Sequence, residues 1–226
     1  MPFFIFEGSD GAGKSTIIEK VRKHLERHSP RNADKILCTK SPGATPLGQH
    51  IRKLVKHTSE INPLIQIDDL SRQVLFMVDT INFTRTMLIP ALDAGKIVLL
   101  DRSSFISSMI YGTNEGVAIE EIRSMFNLIQ TPKADKCFII TCDPEVALGR
   151  MLKRRGSVSE AADHYDDKPL EFAKSIVNSY RSIHDYPPDI AYKIVDQPNL
   201  VSFVSTNRSA DSIADAITST ILPLLP

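Results

Sequence analysis

Phe3-Phe4-Ile5-Phe6-Glu7-Gly8-Ser9-Asp10-Gly11-Ala12-Gly13-Lys14-Ser15-Thr16 runs from an apolar stretch through a glycine-rich turn into an amphipathic segment. This places the pattern G-x-x-x-x-G-K-S/T between a strand and a helix, the context of a phosphate-binding loop. Glycines let the backbone turn with its N–H groups inward, and those donors, with the positive helix N-terminus, hold the phosphates of a nucleoside triphosphate. Lys14 is expected to reach the outer phosphates and Ser15 to ligate Mg2+, with the loop from Gly8 to Thr16 wrapped around the triphosphate.

The chain has 226 residues, 42% of them hydrophobic, enough for one substantial core, so residues 1–226 are expected to form a single domain. Lys and Arg number 27, as do Asp and Glu, so no global field draws the chain to nucleic acid or an anionic membrane. Anion recognition has to be local. Cys38, Cys137 and Cys142 are an odd, unclustered set without metal-ligand spacing, and the last two sit in a β-rich run that reads as buried thiols in a reducing compartment. No apolar stretch approaches the roughly 18 residues that span a bilayer, and no secretion signal precedes Gly8. A cytoplasmic protein is the expectation.

Apolar, β-branched runs at Phe3 to Phe6, Lys35 to Thr39, Ile97 to Leu100, Cys137 to Thr141 and Val201 to Val204 alternate with helical periodicity. Helices are expected at Ser15 to Glu26, Leu47 to His57, Asp69 to Leu92, Phe105 to Tyr111, Ile119 to Leu128, Pro144 to Arg154, Pro169 to His184 and Ala210 to Leu222. Continuous apolar strands belong to a sheet covered on both faces, so the fold class is an α/β sandwich with a mainly parallel sheet and ligands at the carboxyl ends of its strands. Two stretches interrupt the rhythm: Ser41 to Pro46, rich in Pro and Gly, and the polar Gly156 to Lys168. Both are long enough to touch a substrate.

Ile97-Val98-Leu99-Leu100-Asp101-Arg102 is an apolar strand ending in an acid and a base. Asp101 falls beside the phosphate loop, where it can order Mg2+ directly or through water. A guanidinium forks onto two phosphate oxygens, so Arg102 suggests a second substrate that also carries a phosphate. A structural ion pair at the strand end is the competing interpretation.

Further stretches fit the same picture. Phe6 to Thr16 matches F-E-G-x-D-G-A-G-K-S-T, and Thr39-Lys40-Ser41-Pro42-Gly43-Ala44-Thr45-Pro46-Leu47-Gly48 is similar to T-R-E-P-G-G-T-P-L-G. Leu75-Phe76 matches an L-F pair, and Asp101-Arg102 followed by Ser107, Ser108, Tyr111 and Gly112 is similar to D-R-Y-x-x-S-S-x-x-Y-x-G, with a one-residue insertion that aligns both serines and the tyrosine. Asp163-His164-Tyr165-Asp166, with Phe172 and Tyr180, has the spacing of a lid and the helix after it. Over nearly its whole length the chain thus resembles the thymidylate kinase family of nucleoside monophosphate kinases.

The resemblance implies a three-layer α/β/α sandwich on a mainly parallel five-stranded sheet, of the P-loop nucleoside triphosphate hydrolase type, with a lid at about 155–168. It implies an Mg2+-dependent transfer of the γ-phosphoryl of ATP to dTMP, small-molecule nucleotides as partners, and a homodimer through the long helix from Asp69. Asp10 would accept a hydrogen bond from the sugar 3′-hydroxyl and help Ser15 and Asp101 with the metal. Lys40 and Pro42 would belong to the substrate loop, Phe76 would stack on the base, Arg102 would hold the acceptor phosphate, and Ser107 and Tyr111 would bond base or sugar.

Several family arginines are missing. One falls on Thr80, four residues after Phe76, and two after the lid fall on His164 and Val177; Arg85 is a candidate to reach the space left at Thr80. Family members that lack an Arg in the phosphate loop supply the catalytic cation from the lid. This chain has Gly11 at that position, which points to the basic run Arg150, Lys153, Arg154 and Arg155, and to Arg154 and Arg155 as catalytic. The rivals are a deoxynucleoside or other deoxynucleotide kinase of altered base preference, and a nucleotide-gated binding module with no acceptor.

Overall fold

A computed structural model describes residues 2–56, 61–62, 64–157, 164–165 and 168–226, with the side chains at 152 and 154–157 outside the description. Five strands, β1 (Phe3–Glu7), β2 (Ile36–Lys40), β3 (Ile97–Asp101), β4 (Lys136–Thr141) and β5 (Leu200–Val204), form one sheet in the order β2-β3-β1-β4-β5. Every pairing is parallel.

Alternation along β1 divides the interior. Phe3 and Ile5 face a core built with Val98, Leu100 and Ile139, whereas Phe4 and Phe6 face one built with Leu99, Phe138 and Ile140. The first is covered by α3 (Asp69–Phe83), α6 (Ile119–Asn127) and α8 (Leu170–Arg181), the second by α1 (Lys14–His28) and α10 (Ala210–Ile221). Helices thus lie on both sides of the sheet, and each large side chain buried there stabilises the fold by about 1.5–3 kcal/mol. Cys137 and Cys142 are buried free thiols, and Cys38 is exposed.

Register fixes the site. Phe6 pairs with Asp101 and Lys40 with the same Asp101, so the carboxyl ends of β1, β2 and β3 open on one edge beside the turn into α1. Around that edge stand α2 (Pro46–Lys56), the short α5 (Ser104–Ser107) and α7 (Pro144–Ser157).

The helix expected from Asp69 to Leu92 is interrupted. α3 gives way to a π turn at Thr84–Leu88 and resumes as α4 (Ile89–Asp93). Pro90 has no N–H to donate and its ring crowds the carbonyl one turn back, so the helix widens ahead of it. α5 likewise passes into a π turn at Ser108–Gly112, directly after the stretch from Arg102 to Ser107 that is one residue longer than the family pattern. A short α9 (Pro188–Ala191), unforeseen in the sequence, precedes β5. Among the described residues no helix is long and apolar enough to cross a membrane.

Candidate active site

The phosphate loop is shaped by backbone that only glycine tolerates. Gly8 has φ +138°, and a Cβ there would lie 1.7 Å from the Ile140 carbonyl oxygen. Gly11 has φ +76°, and its Cβ would lie 2.5 Å from the Ala147 carbonyl oxygen on α7, so a side chain at this position would collide with α7. α1 then starts at Gly13 with no side-chain cap and no acid in its first turn, which leaves its N–H groups for an anion.

Lys14 folds back over this loop. Its Nζ donates to the carbonyls of Gly8 (3.0 Å) and Ser9 (2.9 Å). Burial, and then the charge of Arg102, lower its pKa to about 8 against the opposing pull of Asp10, Asp101 and Glu7. Ser15, exposed at the start of α1, donates from Oγ to Asp101 Oδ2 at 3.0 Å, which joins the loop to the end of β3. Thr16 is exposed beside it.

Arg102 is the described non-glycine residue with positive φ, at +68°. Such a backbone costs about 1–3 kcal/mol and persists where neighbours enforce it. Here the Arg102 N–H donates to the Phe6 carbonyl at 2.9 Å and the next N–H, of Ser103, donates to Glu7 Oε1 at 2.6 Å. The guanidinium donates to Asp10 Oδ1 and to the Tyr180 hydroxyl (3.2 Å), lies 3.7 Å from Glu7 and stands 5.5 Å from the Tyr111 ring centre. Tyr111 in turn donates to Asp10 Oδ2 at 3.1 Å. Burial alone would raise the Asp10 pKa, but Arg102 and Lys14 outweigh it and hold the carboxyl far below the usual carboxylate range.

Glu7 sits beneath this group, fully buried. It accepts from Tyr180 (2.8 Å) and Ser107 Oγ (3.0 Å) besides Ser103, and burial pushes its carboxyl pKa up while Arg102 pulls it down. The Ser107 hydroxyl thus gives its proton to Glu7 and keeps its lone pairs for a donor.

Between α2, α3 and the α5 segment lies a cleft. Of the residues expected from sequence, Asp10, Pro42, Phe76, Arg102, Ser107 and Tyr111 line it. Lys40 does not: it is exposed at the end of β2. Arg85 does not either, since it lies in the π turn, five residues past Thr80, and faces solvent. Besides Arg102, the cations on the cleft wall come from α2, as Arg52 and Lys56, one helical turn apart. Ser108 and Tyr165, quoted in the motifs without a binding role, also line it, as do Gln73 and Ser104, which were not foreseen. Helical spacing is the signal that could have found Gln73, three residues before Phe76 and so on the same face.

The loop Ser41 to Pro46 is held to α3. Thr45 Oγ1 accepts from Asn82 Nδ2 and from the Gly48 N–H, each at 3.0 Å, and Ser41 Oγ lies 3.0 Å from Ser104 Oγ.

His164 and Val177, where family arginines are missing, are engaged otherwise: His164 Nε2 lies 2.9 Å from Glu115 Oε1, and Val177 is buried. Arg150, on α7, donates to the Gly11 carbonyl at 3.2 Å. The side chains of Arg154 and Arg155, and residues Asp163 and Asp166, lie outside the described residues.

With this geometry in hand, comparison with known proteins is informative. Residues 6–204 match the thymidylate kinase family model. The thymidylate kinase of Caldicellulosiruptor saccharolyticus is 34% identical over 80% of this chain and 82% of its own, and that of Finegoldia magna is 32% identical over 89% of this chain and 93% of its own. The crystal structure of thymidylate kinase from Ehrlichia chaffeensis superposes with a TM-score of 0.68 at 19% identity, covering 98% of both chains, a likeness of fold.

Proposed function

Because the chain belongs to the thymidylate kinase family, it transfers phosphoryl from ATP to dTMP, and we propose that Arg102 receives the acceptor's phosphate while Lys14 and the loop amides hold the donor. One observation carries this division of labour. Arg102 is fixed in a strained backbone at the border between the phosphate loop and the cleft, its charge shared with Asp10.

The chemistry asks little else of the protein. A phosphate oxygen of dTMP is already ionised near neutral pH, so no general base is needed and catalysis reduces to alignment and charge neutralisation. Glu7 accordingly serves to hold Arg102, Ser107 and Tyr180. Asp10 uses one oxygen for Arg102 and the other for Tyr111, yet a carboxylate offers about four lone-pair sites, which leaves room to accept from the sugar 3′-hydroxyl. Phe76 stacks on the base.

The oxygen-only pair Ser15 and Asp101, 3.0 Å apart, with Asp10 on the same loop, suits a hard divalent cation. These residues would hold Mg2+, which supplies neutralising charge to the polyphosphate. A side chain at Gly11 would run into the Ala147 carbonyl, which supports a remaining cation supplied from α7, where Arg150 touches the loop and Arg154 and Arg155 follow in sequence.

A coupled assay across acceptors tests the reading. dTMP should be phosphorylated and free thymidine should not; preference for thymidine would show that Arg102 meets no acceptor phosphate.

The homodimer belongs to the same proposal. Val74, Val78 and Ile89 are 43%, 41% and 38% exposed along α3 and α4, an apolar stripe suited to the same stripe of a second copy. Sedimentation should give a dimer that Val78→Asp dissociates, and a monomeric wild-type chain would refute it.

A further inference from the structure

We propose that Gln73 reads the pyrimidine ring of the acceptor through a fixed hydrogen-bond acceptor, and that Glu115 is the positioning residue that fixes it. The inference rests on the dTMP kinase reading and adds the residues that choose the base.

Gln73 is 0% exposed and lines the cleft three residues before Phe76, on the same face of α3. Its Nε2 donates to Glu115 Oε2 at 3.2 Å. An ionised carboxylate can only accept, so the amide nitrogen has to face Glu115 and the flip that usually makes amides ambiguous is excluded by chemistry. Oε1 is then left as a buried acceptor without a hydrogen-bond partner, on a side chain that lines the cleft. Buried polar atoms are normally satisfied, and an orphan in a substrate cleft is expected to find its partner in the ligand.

Two further observations make this a built site. Gly112 leaves only enough room for the Gln73 stem: a Cβ there would stand 3.2 Å from Cγ and 3.3 Å from Cδ of Gln73. Ser108, also buried and also lining the cleft, has a hydroxyl with no partner. The wall thus presents a fixed acceptor beside a hydroxyl that can turn.

Thymine and uracil answer that pattern. Their N3–H donates and is flanked by two carbonyls, so N3–H meets Gln73 Oε1 while Ser108 donates to a neighbouring carbonyl. Cytosine presents N3 as an acceptor, and two acceptors facing each other in a desolvated site repel. The pocket selects an imide edge.

Glu115 connects this wall to His164, Tyr165 and Lys168. The same carboxylate, with a 0% exposed side chain, accepts from the Tyr165 hydroxyl (3.3 Å) and faces His164 Nε2 (2.9 Å) and Lys168 Nζ (3.6 Å). These groups face it beside a second acid, Asp69, whose carboxylate lies within 4.8 Å. Orienting the base-reading amide and holding His164, Tyr165 and Lys168 are therefore one arrangement.

The test compares kcat/KM for dTMP, dCMP and the monophosphate of N3-methylthymidine, which lacks the N3–H. The wild-type enzyme should prefer dTMP over the N3-methyl analogue by about 10²-fold or more. Gln73→Ala should bring the two within about threefold while the KM for ATP stays as it was. Glu115→Gln, which permits the Gln73 amide to turn over, should narrow the preference for dTMP over dCMP by about tenfold. The Gln73→Ala arm does not depend on Glu115→Gln folding. Unchanged discrimination against the N3-methyl analogue in Gln73→Ala would overturn the proposal, whereas a wild-type enzyme inactive on dTMP would overturn the function reading beneath it.

Discussion

Lys14→Met is expected to lower kcat by about 10²- to 10³-fold, the usual loss when one preorganised charge is removed from a developing anion. Lys14 is the cation seated inside the loop, against the carbonyls of Gly8 and Ser9. Its burial predicts more than a rate. Burial and Arg102 lower its pKa from 10.5 to about 8, so in the nucleotide-free enzyme it loses its proton as pH passes about 8. A bound polyphosphate favours the charged form and holds the proton to higher pH. Affinity for ATP should therefore be full below about pH 8 and fall above it, with proton uptake on binding in that window. Calorimetric titration with ATP at about pH 7 and about pH 9 measures both. The Lys14→Met enzyme should show a shallower decline, and an identical decline would remove Lys14 from the donor site. Folding sets no obstacle: the pKa is depressed relative to the unfolded 10.5, so the charged lysine is a burden on the native state near neutrality that eases as pH rises through 8 toward 10.5.

Arg102→Lys is the second large effect. A lysine keeps the charge but loses the planar fork that reaches Asp10 and Tyr180 together and leaves donors for a phosphate. kcat/KM for dTMP should fall about 10²-fold or more, with the KM for ATP little changed. Arg102→Ala should lose more and also destabilise the fold by about 3–5 kcal/mol, because it strands the buried Glu7 beside an unpaired Asp10. The lysine variant separates the two effects. If it retained kcat/KM for dTMP within about threefold, bidentate recognition of the acceptor would be wrong.

The sheet was legible because its strands are covered on both faces and so read as unbroken apolar runs, such as Phe3 to Phe6 and Ile97 to Leu100. The phosphate loop was legible for a different reason, since Gly8 and Gly11 occupy backbone that other residues cannot. Arg52, Lys56 and Gln73 were hidden because polar residues on an amphipathic helix look alike whether they face solvent or a cleft, and only the packing of α2 against α3 distinguishes them. Arg85 misled for the same reason: it lies in the π turn and is exposed. The positive φ of Arg102 and the hydrogen bonds converging on Glu7 depend on contacts between residues about 100 or more apart, and no local pattern announces them. The expected roles of Arg154 and Arg155 rest on sequence, together with the crowding at Gly11 that rules out a cation there.

The most direct measurement follows the phosphoryl group itself. ATP labelled with 32P at the γ position is incubated with dTMP and the enzyme, and the labelled nucleotides are separated. The account predicts label in the β position of dTDP, at a rate lost in Lys14→Met and Arg102→Lys. Label released only as inorganic phosphate, or carried only onto free thymidine, would contradict it.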